Sequence, residues 1–421
     1  MKNRGAIYLL FVANIISGFA QGISMIAIPW YFIEIVNRPQ IFSLSYIIIT
    51  FITLFWGLYA GTLIDRYSRK KLFIITNVIC GFLIGAVSFS GFYYNTVTDM
   101  LVIFVFALTI LNYNVHYPNL YAFGQEITEK KYYGKLNSYI EIQGQSTSIF
   151  AGAFAALLLT GTVDGIMNLA GFDINLPFNI KAWMIHEIFL MDAISYFLAT
   201  LIIIFIKYKP IAKEEIQVGS LFKRFKTGFN YLKDNPLIFN FGFASYMLFA
   251  FTLVEIHVLL PSYVKNFLEE KGDIYASAEV YYCIGAIISG LFIIKLFKRY
   301  NTVLGVILLM MFVMIGFLGM TFYKSLLVFF IANLMIGISN AGVRVLRTTF
   351  IFNHVPNNVI GRTNSVFNSL NVLVRMMLIG VFMLPFFNVE DNIRWGYAIG
   401  FLLLILAIIP LMVNYQRTIK I

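Results

Sequence analysis

Twelve apolar stretches of about twenty or more residues, separated by short polar joints, run the length of this chain. A helix needs about 20 apolar residues to cross roughly 30 Å of hydrocarbon. Inside lipid every backbone polar group must be satisfied within the protein, so long apolar runs of this kind fold as spanning helices. The expected spans are about 7–35, 41–63, 72–94, 100–124, 138–160 and 187–206 in the first half. In the second half they are about 238–264, 275–297, 302–321, 325–348, 362–387 and 394–415.

Composition agrees with that reading. Of 421 residues, 60% are hydrophobic and 12% charged, about half the charged share of a soluble domain. An ordinary soluble enzyme, a disordered chain and a secreted disulfide scaffold are all excluded. The net charge of +11 does not gather on one amphipathic element, so no nucleic-acid partner is expected. Cys80 and Cys283 lie in separate apolar spans, as buried thiols rather than metal ligands. Lys2 and Arg4 precede an apolar run to about Ile35, too long for a cleavable signal core.

Lys and Arg set the orientation, because cytoplasmic connections carry their excess. With the N-terminus inside, inner segments hold 24 and outer segments 6 of the 31, with Arg375 inside a span. Both termini are therefore expected in the cytoplasm, the chain lying in the plasma (inner) membrane. Residues 1–206 read as an N-terminal six-helix bundle and 238–421 as a C-terminal one. Residues 207–237 form a cytoplasmic linker whose amphipathic piece, Leu221 to Leu232, would rest on lipid headgroups. The long outer connection, Gly161 to His186, has no readable function.

The halves repeat each other. Gly134-Lys135-Leu136-Asn137-Ser138 opens span five, and Gly361-Arg362-Thr363-Asn364-Ser365 opens span eleven. Pro29, near the outer end of span one, is matched by Pro261 in span seven. The expected fold is thus an all-α membrane protein of two pseudo-symmetric six-helix bundles, a design that lets one central site face either side.

Between spans two and three stands Gly61-Thr62-Leu63-Ile64-Asp65-Arg66-Tyr67-Ser68-Arg69-Lys70-Lys71-Leu72. It resembles the loop signature of the major facilitator superfamily, G-x-L-x-D-R-x-x-R-[KR]. Asp192-Ala193-Ile194-Ser195-Tyr196, Gly228 to Pro236, Leu259-Leu260-Pro261 and Val355-Pro356 to Gly361-Arg362 resemble the drug-exporting branch that includes macrolide efflux proteins. The resemblance implies a conformational latch at Gly61, Asp65, Arg66 and Arg69. Gly61 would admit a close helix neighbour, and Asp65 would face a helix N-terminus. Positive-inside topology alone accounts for Lys70 and Lys71.

Ionisable groups in hydrocarbon are costly and usually face a cavity or a partner. Arg375 lies about thirteen residues, roughly 20 Å, into span eleven, too deep to snorkel. Asn364, Asn368, Asn371 and Arg375 share its helical face. Asn14, Ser17, Gln21 and Ser24 form a stripe on span one, and Asn112, His116 and Asn119 form one on span four beside Pro118. Span ten carries Asn333, Asn340, Arg344 and Arg347, the last read as a cytoplasmic anchor. The resemblance implies that spans one, four, seven and ten line the central cavity, making Asn14, Gln21, Asn112, His116, Asn340, Asn371 and Arg375 substrate-cavity candidates. Interhelical hydrogen bonding is the competing explanation of any one stripe.

Glu255, about 26 Å into span seven, and Asp192 in span six are the proton-coupling candidates. His257, two residues on, points to another face, while Glu34 and Glu141 read as interfacial. No nucleotide loop, metal-ligand cluster or nucleophile motif is found, so the chain reads as no enzyme, with no cofactor and no metal. The expected activity is alternating-access transport, with proton-coupled efflux of an amphipathic drug-like or siderophore-like molecule by a monomer. The alternatives are an importer or exchanger of a polar or anionic solute, and a non-transporting receptor or assembly protein.

Overall fold

A computed structural model describes residues 3–162, 165–169, 171–207, 221–297 and 301–418. Twelve helices among them are long and apolar enough to cross a membrane. The first six spans are α1 (Arg4–Trp30), α2 (Pro39–Arg66), α3 (Arg69–Tyr94), α4 (Asp99–Glu126), α5 (Tyr133–Thr160) and α6 (Ile185–Ile204). Between α5 and α6, β1 (Ile166–Leu169) pairs antiparallel with β2 (Phe172–Asn175). This hairpin in the outer connection is not evident from the sequence.

The short helix α7 (Leu221–Asp234) opens the second half. Span seven follows as α8 (Pro236–Val254), a π turn (Glu255–Leu259), the single turn α9 (Leu260–Ser262) and a second π turn (Tyr263–Leu268). The chain then runs through α10 (Gly272–Phe297), α11 (Thr302–Phe322), α12 (Leu326–His354), α13 (Asn357–Phe382), α14 (Trp395–Val413) and a terminal turn, α15 (Tyr415–Thr418). Span eleven ends at Phe382 and not near 387. Pro385, which lacks an N–H and restricts the residue before it, starts a 3-10 turn over Pro385–Asn388 instead.

Helix starts follow local chemistry. Pro39 and Pro236 occupy first-turn positions, where the missing N–H costs nothing. The Asn3, Ser68 and Asn301 side chains accept backbone N–H groups at the starts of α1, α3 and α11.

The chain packs as two compact units, Met1–Arg38 with Ile52–Gln217, and Pro39–Phe51 with Val218–Ile421. Helix α2 is therefore divided, its first half belonging to the second unit. In the first unit, Leu10, Phe73, Leu120, Phe123 and Ala199 form a buried core joining α1, α3, α4 and α6. The α3–α6 contact is close because Gly85 faces Ala193 and Gly91 faces His186.

In the second unit, α10 and α12 approach through two glycines. A Cβ on Gly285 would strike the Leu334 carbonyl, and one on Gly337 would strike the Tyr282 carbonyl. An aromatic cluster joins span seven to the last span, with the Tyr263 and Tyr397 ring centres 5.0 Å apart. Tyr263 donates to the Met320 carbonyl at 2.8 Å. The amphipathic segment read as lying on lipid is the helix α7, and Gly228 seats it against the Arg362 backbone at the start of α13; Lys226 remains exposed.

The internal repeat reaches the backbone itself. Pro29 is followed by the π turn Tyr31–Ile35 and a left-handed Asn37 (φ 54°). Pro261 is followed by the π turn Tyr263–Leu268 and a left-handed Glu269 (φ 60°) at the same spacing. A proline ring crowds the preceding turn and offers no donor, and a wider turn accommodates both defects.

Candidate functional site

In the first unit the stripes of spans one and four meet and face inward. Asn14, Gln21, Asn112, His116 and Asn119 are all buried. His116 Nε2 lies 2.7 Å from Asn14 Oδ1, and Asn14 Nδ2 donates to Gln143 Oε1 at 2.6 Å. Gln143 Nε2 in turn donates to Thr147 Oγ1 at 3.0 Å. The carbonyl of Asn14 can only accept, so Nε2 carries the ring hydrogen. Gln143 and Thr147 of α5 are absent from the sequence-derived candidates; their signal is helical i, i+4 spacing within the polar first half of span five.

These two side chains also border an apolar groove between α1 and α5, about 540 Å³ in volume and walled by Phe11, Ile15, Phe19, Phe150 and Phe154. Asn112 donates to the Tyr196 hydroxyl at 3.4 Å. Asp192 is fully buried, with the Ser24 hydroxyl beside it.

In the second unit, Glu255 is 1% exposed and opens the first π turn of span seven. The Tyr397 hydroxyl donates to its Oε1 at 2.9 Å. Glu279 of α10 lies within electrostatic reach, and its Oε1 accepts from Cys283 Sγ at 3.3 Å. Glu279, about one turn into the expected eighth span, is a second intramembrane acid and is absent from the sequence-derived candidates. Tyr275 donates to the Ile256 carbonyl at 3.3 Å. From α12, Asn340 reaches the Tyr282 hydroxyl at 2.8 Å.

His257 does face away from Glu255. Its ring stands edge-on to Tyr46 at 5.4 Å. Arg375 lies on the same side: its Nη2 donates to the Tyr46 hydroxyl at 3.3 Å and to Thr50 Oγ1 at 3.2 Å. Both acceptors belong to the part of α2 that packs within the second unit. Asn371, one turn earlier, is buried and donates to the Tyr246 carbonyl at 3.4 Å.

One expectation about an arginine is corrected. Arg347 is buried and is no cytoplasmic anchor. It donates to the Ser245 carbonyl at 3.0 Å and stacks 3.7 Å from the Tyr246 ring centre, an arrangement suited to a weakly hydrated, planar guanidinium. Arg344 is the exposed member of the pair.

In the signature loop, Arg69 pairs with Glu126 at 3.3 Å and its carbonyl accepts from Asn119 at 3.0 Å. Lys70 exceeds its topological role, since its Nζ donates at 2.8 Å to both the Ile204 and Ile206 carbonyls. It thereby caps the C-terminal end of α6, where a cation is favoured. Arg66 is exposed, its guanidinium 5.9 Å from the Tyr67 ring centre. No described atom lies within 4 Å of a Cβ built on Gly61, so the expected close approach is not made at that exposed face. The Asp65 side chain lies outside the described residues.

Among the described residues, no group of three or more His, Cys, Asp or Glu is placed to hold a metal ion. The arrangement is instead one of isolated polar networks buried in spanning helices, chemistry that can take up or release a proton or a solute without making covalent bonds.

A multi-pass helical protein with such networks is the architecture of a membrane transporter. The Major Facilitator Superfamily model matches residues 10–378, and the chain belongs to that family. Among curated proteins, it is similar to Macrolide efflux protein A of Streptococcus pyogenes, 20% identical over 415 residues, covering 97% of this chain and 96% of the relative. Among solved structures, it is similar to a point mutant of the nucleoside transporter NupG (TM-score 0.74, 14% identity, 97% of this chain and 99% of that one). A bacterial homologue of the human lysosomal transporter Spinster gives a TM-score of 0.72 at 11% identity, covering 100% and 98% of the two chains. The D-xylose-proton symporter gives 0.70 at 11% identity, covering 97% of each. The chain is thus a transporter and not an enzyme, and the non-transporting role entertained from the sequence gives way to that.

Proposed function

We propose that this transporter exports an amphipathic small molecule by alternating access in exchange for protons, from a plasma (inner) membrane with both termini in the cytoplasm. One observation carries the reading: the Glu255 carboxyl is buried in span seven on a widened helical turn, held by Tyr397 and near Glu279. A carboxyl group so placed changes charge only when the surrounding helices change its environment, which is the requirement for linking protonation to conformation. The apolar groove edged by Gln143 and Thr147 supports an amphipathic ligand, and likeness to Macrolide efflux protein A supports export. The charge bias of the connections supports the orientation. Asp65, Arg66 and Arg69 are proposed as the latch between states, and Asn340, Asn371 and Arg375 as cavity residues.

The test is drug-panel transport in proteoliposomes under an imposed pH gradient, with wild type and Glu255→Gln. Substrate movement that follows the gradient and is lost in the variant supports the reading; movement indifferent to the gradient overturns proton coupling. Arg375 favours a second reading, transport of a polar or anionic solute. An intramembrane guanidinium whose described hydrogen-bond partners are two neutral hydroxyls is suited to attract an anion. Loss of anionic-ligand binding in Arg375→Gln, with lipophilic cations unaffected, would select that reading.

A further inference from the structure

We propose that the first unit holds a sodium ion between α1, α4 and α6, with the Asp192 carboxylate as its charged ligand. Asp192 is 0% exposed, and no described donor completes a hydrogen bond to either carboxyl oxygen. No salt bridge reaches it among the described residues, and its polar neighbour is Ser24, whose hydroxyl, also 0% exposed, lies beside the carboxyl group without closing a full hydrogen bond to it.

One helical turn beyond Asp192 on α6 stands Tyr196, which Asn112 of α4 contacts through its Nδ2. That leaves Asn112 Oδ1 buried and without a partner. Buried oxygens without a completed hydrogen bond thus stand on three helices of this unit: both of Asp192 on α6, that of Ser24 on α1 and Oδ1 of Asn112 on α4. A single orphaned buried polar atom costs about 1–3 kcal/mol. Several gathered on adjoining helices signal a missing ligand.

The donor set selects the class of ligand. It is all oxygen, which suits a hard cation. A single carboxylate matches one positive charge, leaving the pair neutral in a medium that penalises net charge. Calcium and magnesium sites draw on more oxygens than these, usually with more carboxylates. On α3, Cys80 lies on the same side as Asp192, and Asn77, one turn before it and buried without partners on either amide atom, provides further polar surface for a water to complete the shell. A bound ion joins α1 to α6, so its effect is on the stability of this unit. The site is separate from Glu255 and does not rest on the proposed proton exchange.

The experiment uses the full chain purified in detergent near neutral pH. Thermal unfolding is followed in sodium chloride against choline chloride at constant ionic strength, alongside equilibrium binding of radiolabelled sodium. Wild type should show a saturable, sodium-specific rise in Tm together with bound label, both lost in Asp192→Asn. Ser24→Ala should weaken sodium affinity at least tenfold. Equal Tm in the two salts for wild type, or a sodium response surviving in Asp192→Asn, overturns the proposal. Should Asp192→Asn fail to fold, unchanged sodium affinity in Ser24→Ala overturns it on its own.

Discussion

Tyr397 and Glu255, 142 residues apart in the chain, are joined by a 2.9 Å hydrogen bond in the buried interior of the second unit. The phenol is the donor and the carboxylate oxygen the acceptor. Tyr397→Phe keeps the ring contacts with Tyr263 and Phe251 and removes only the O–H. The expected cost is about 1–3 kcal/mol, the penalty for a buried acceptor left unmade. A lowered Tm in detergent checks it, and a variant as stable as wild type would show that the bond contributes nothing.

The paired glycines of α10 and α12 predict a second effect. Gly337→Ala forces a methyl group into the Tyr282 carbonyl, and the helices must separate. Overpacking of this kind costs about 1–3 kcal/mol. Gly361→Ala, where a Cβ meets nothing within 4 Å, should not lower thermal stability and should raise it slightly, since alanine favours the helix over glycine. Equal losses at the two positions would refute the packing argument.

At the end of α6, Lys70→Met should remove two hydrogen bonds to carbonyls while retaining much of the aliphatic stem. A loss of about 1–2 kcal/mol is expected. Amide hydrogen exchange would report it as faster opening of residues 200–204, against unaltered exchange in α11.

The ion pair of Lys324 and Glu269 lies outside the spans and sets a pH response. Lys324 hydrogen-bonds Glu269 at 2.6 Å, and that bond, reinforced by the lysine charge, holds the carboxyl below its ordinary value of 4.5. Because the folded value is depressed, its stabilisation is complete above the unfolded value and disappears as pH falls through the folded one. Both side chains are well exposed, so the contribution is small and salt-sensitive. Glu269→Gln should flatten the acid side of the stability profile slightly at low ionic strength, and at high salt the two proteins should coincide.

The intramembrane residues differ in how far they can be read from the chain. Glu255 announces itself as an acid among apolar neighbours, but Tyr397 does not, being one aromatic among many. Arg375 is conspicuous, yet its partners Tyr46 and Thr50 lie 329 and 325 residues away in a helix divided between the two units. Arg347 reads as an anchor because sequence reports distance from the end of a span. The Ser245 carbonyl and Tyr246 ring that bury it belong to another helix. Glu279 is likewise unmarked in the chain, because only the packing of α10 brings it near Glu255.

Span number, approximate span limits and the repeat between halves are written in the chain. Each follows from hydrophobicity integrated over a bilayer's thickness or from a local proline, and neither needs knowledge of neighbours. Which polar atoms meet, and which are left without partners around Asp192, depends on the rotation and crossing of each helix about its neighbours. Those angles come from close contacts, such as Gly285 on Leu334 and Gly91 on His186. Contacts of that kind are properties of pairs of surfaces, and they exist only once the helices have packed.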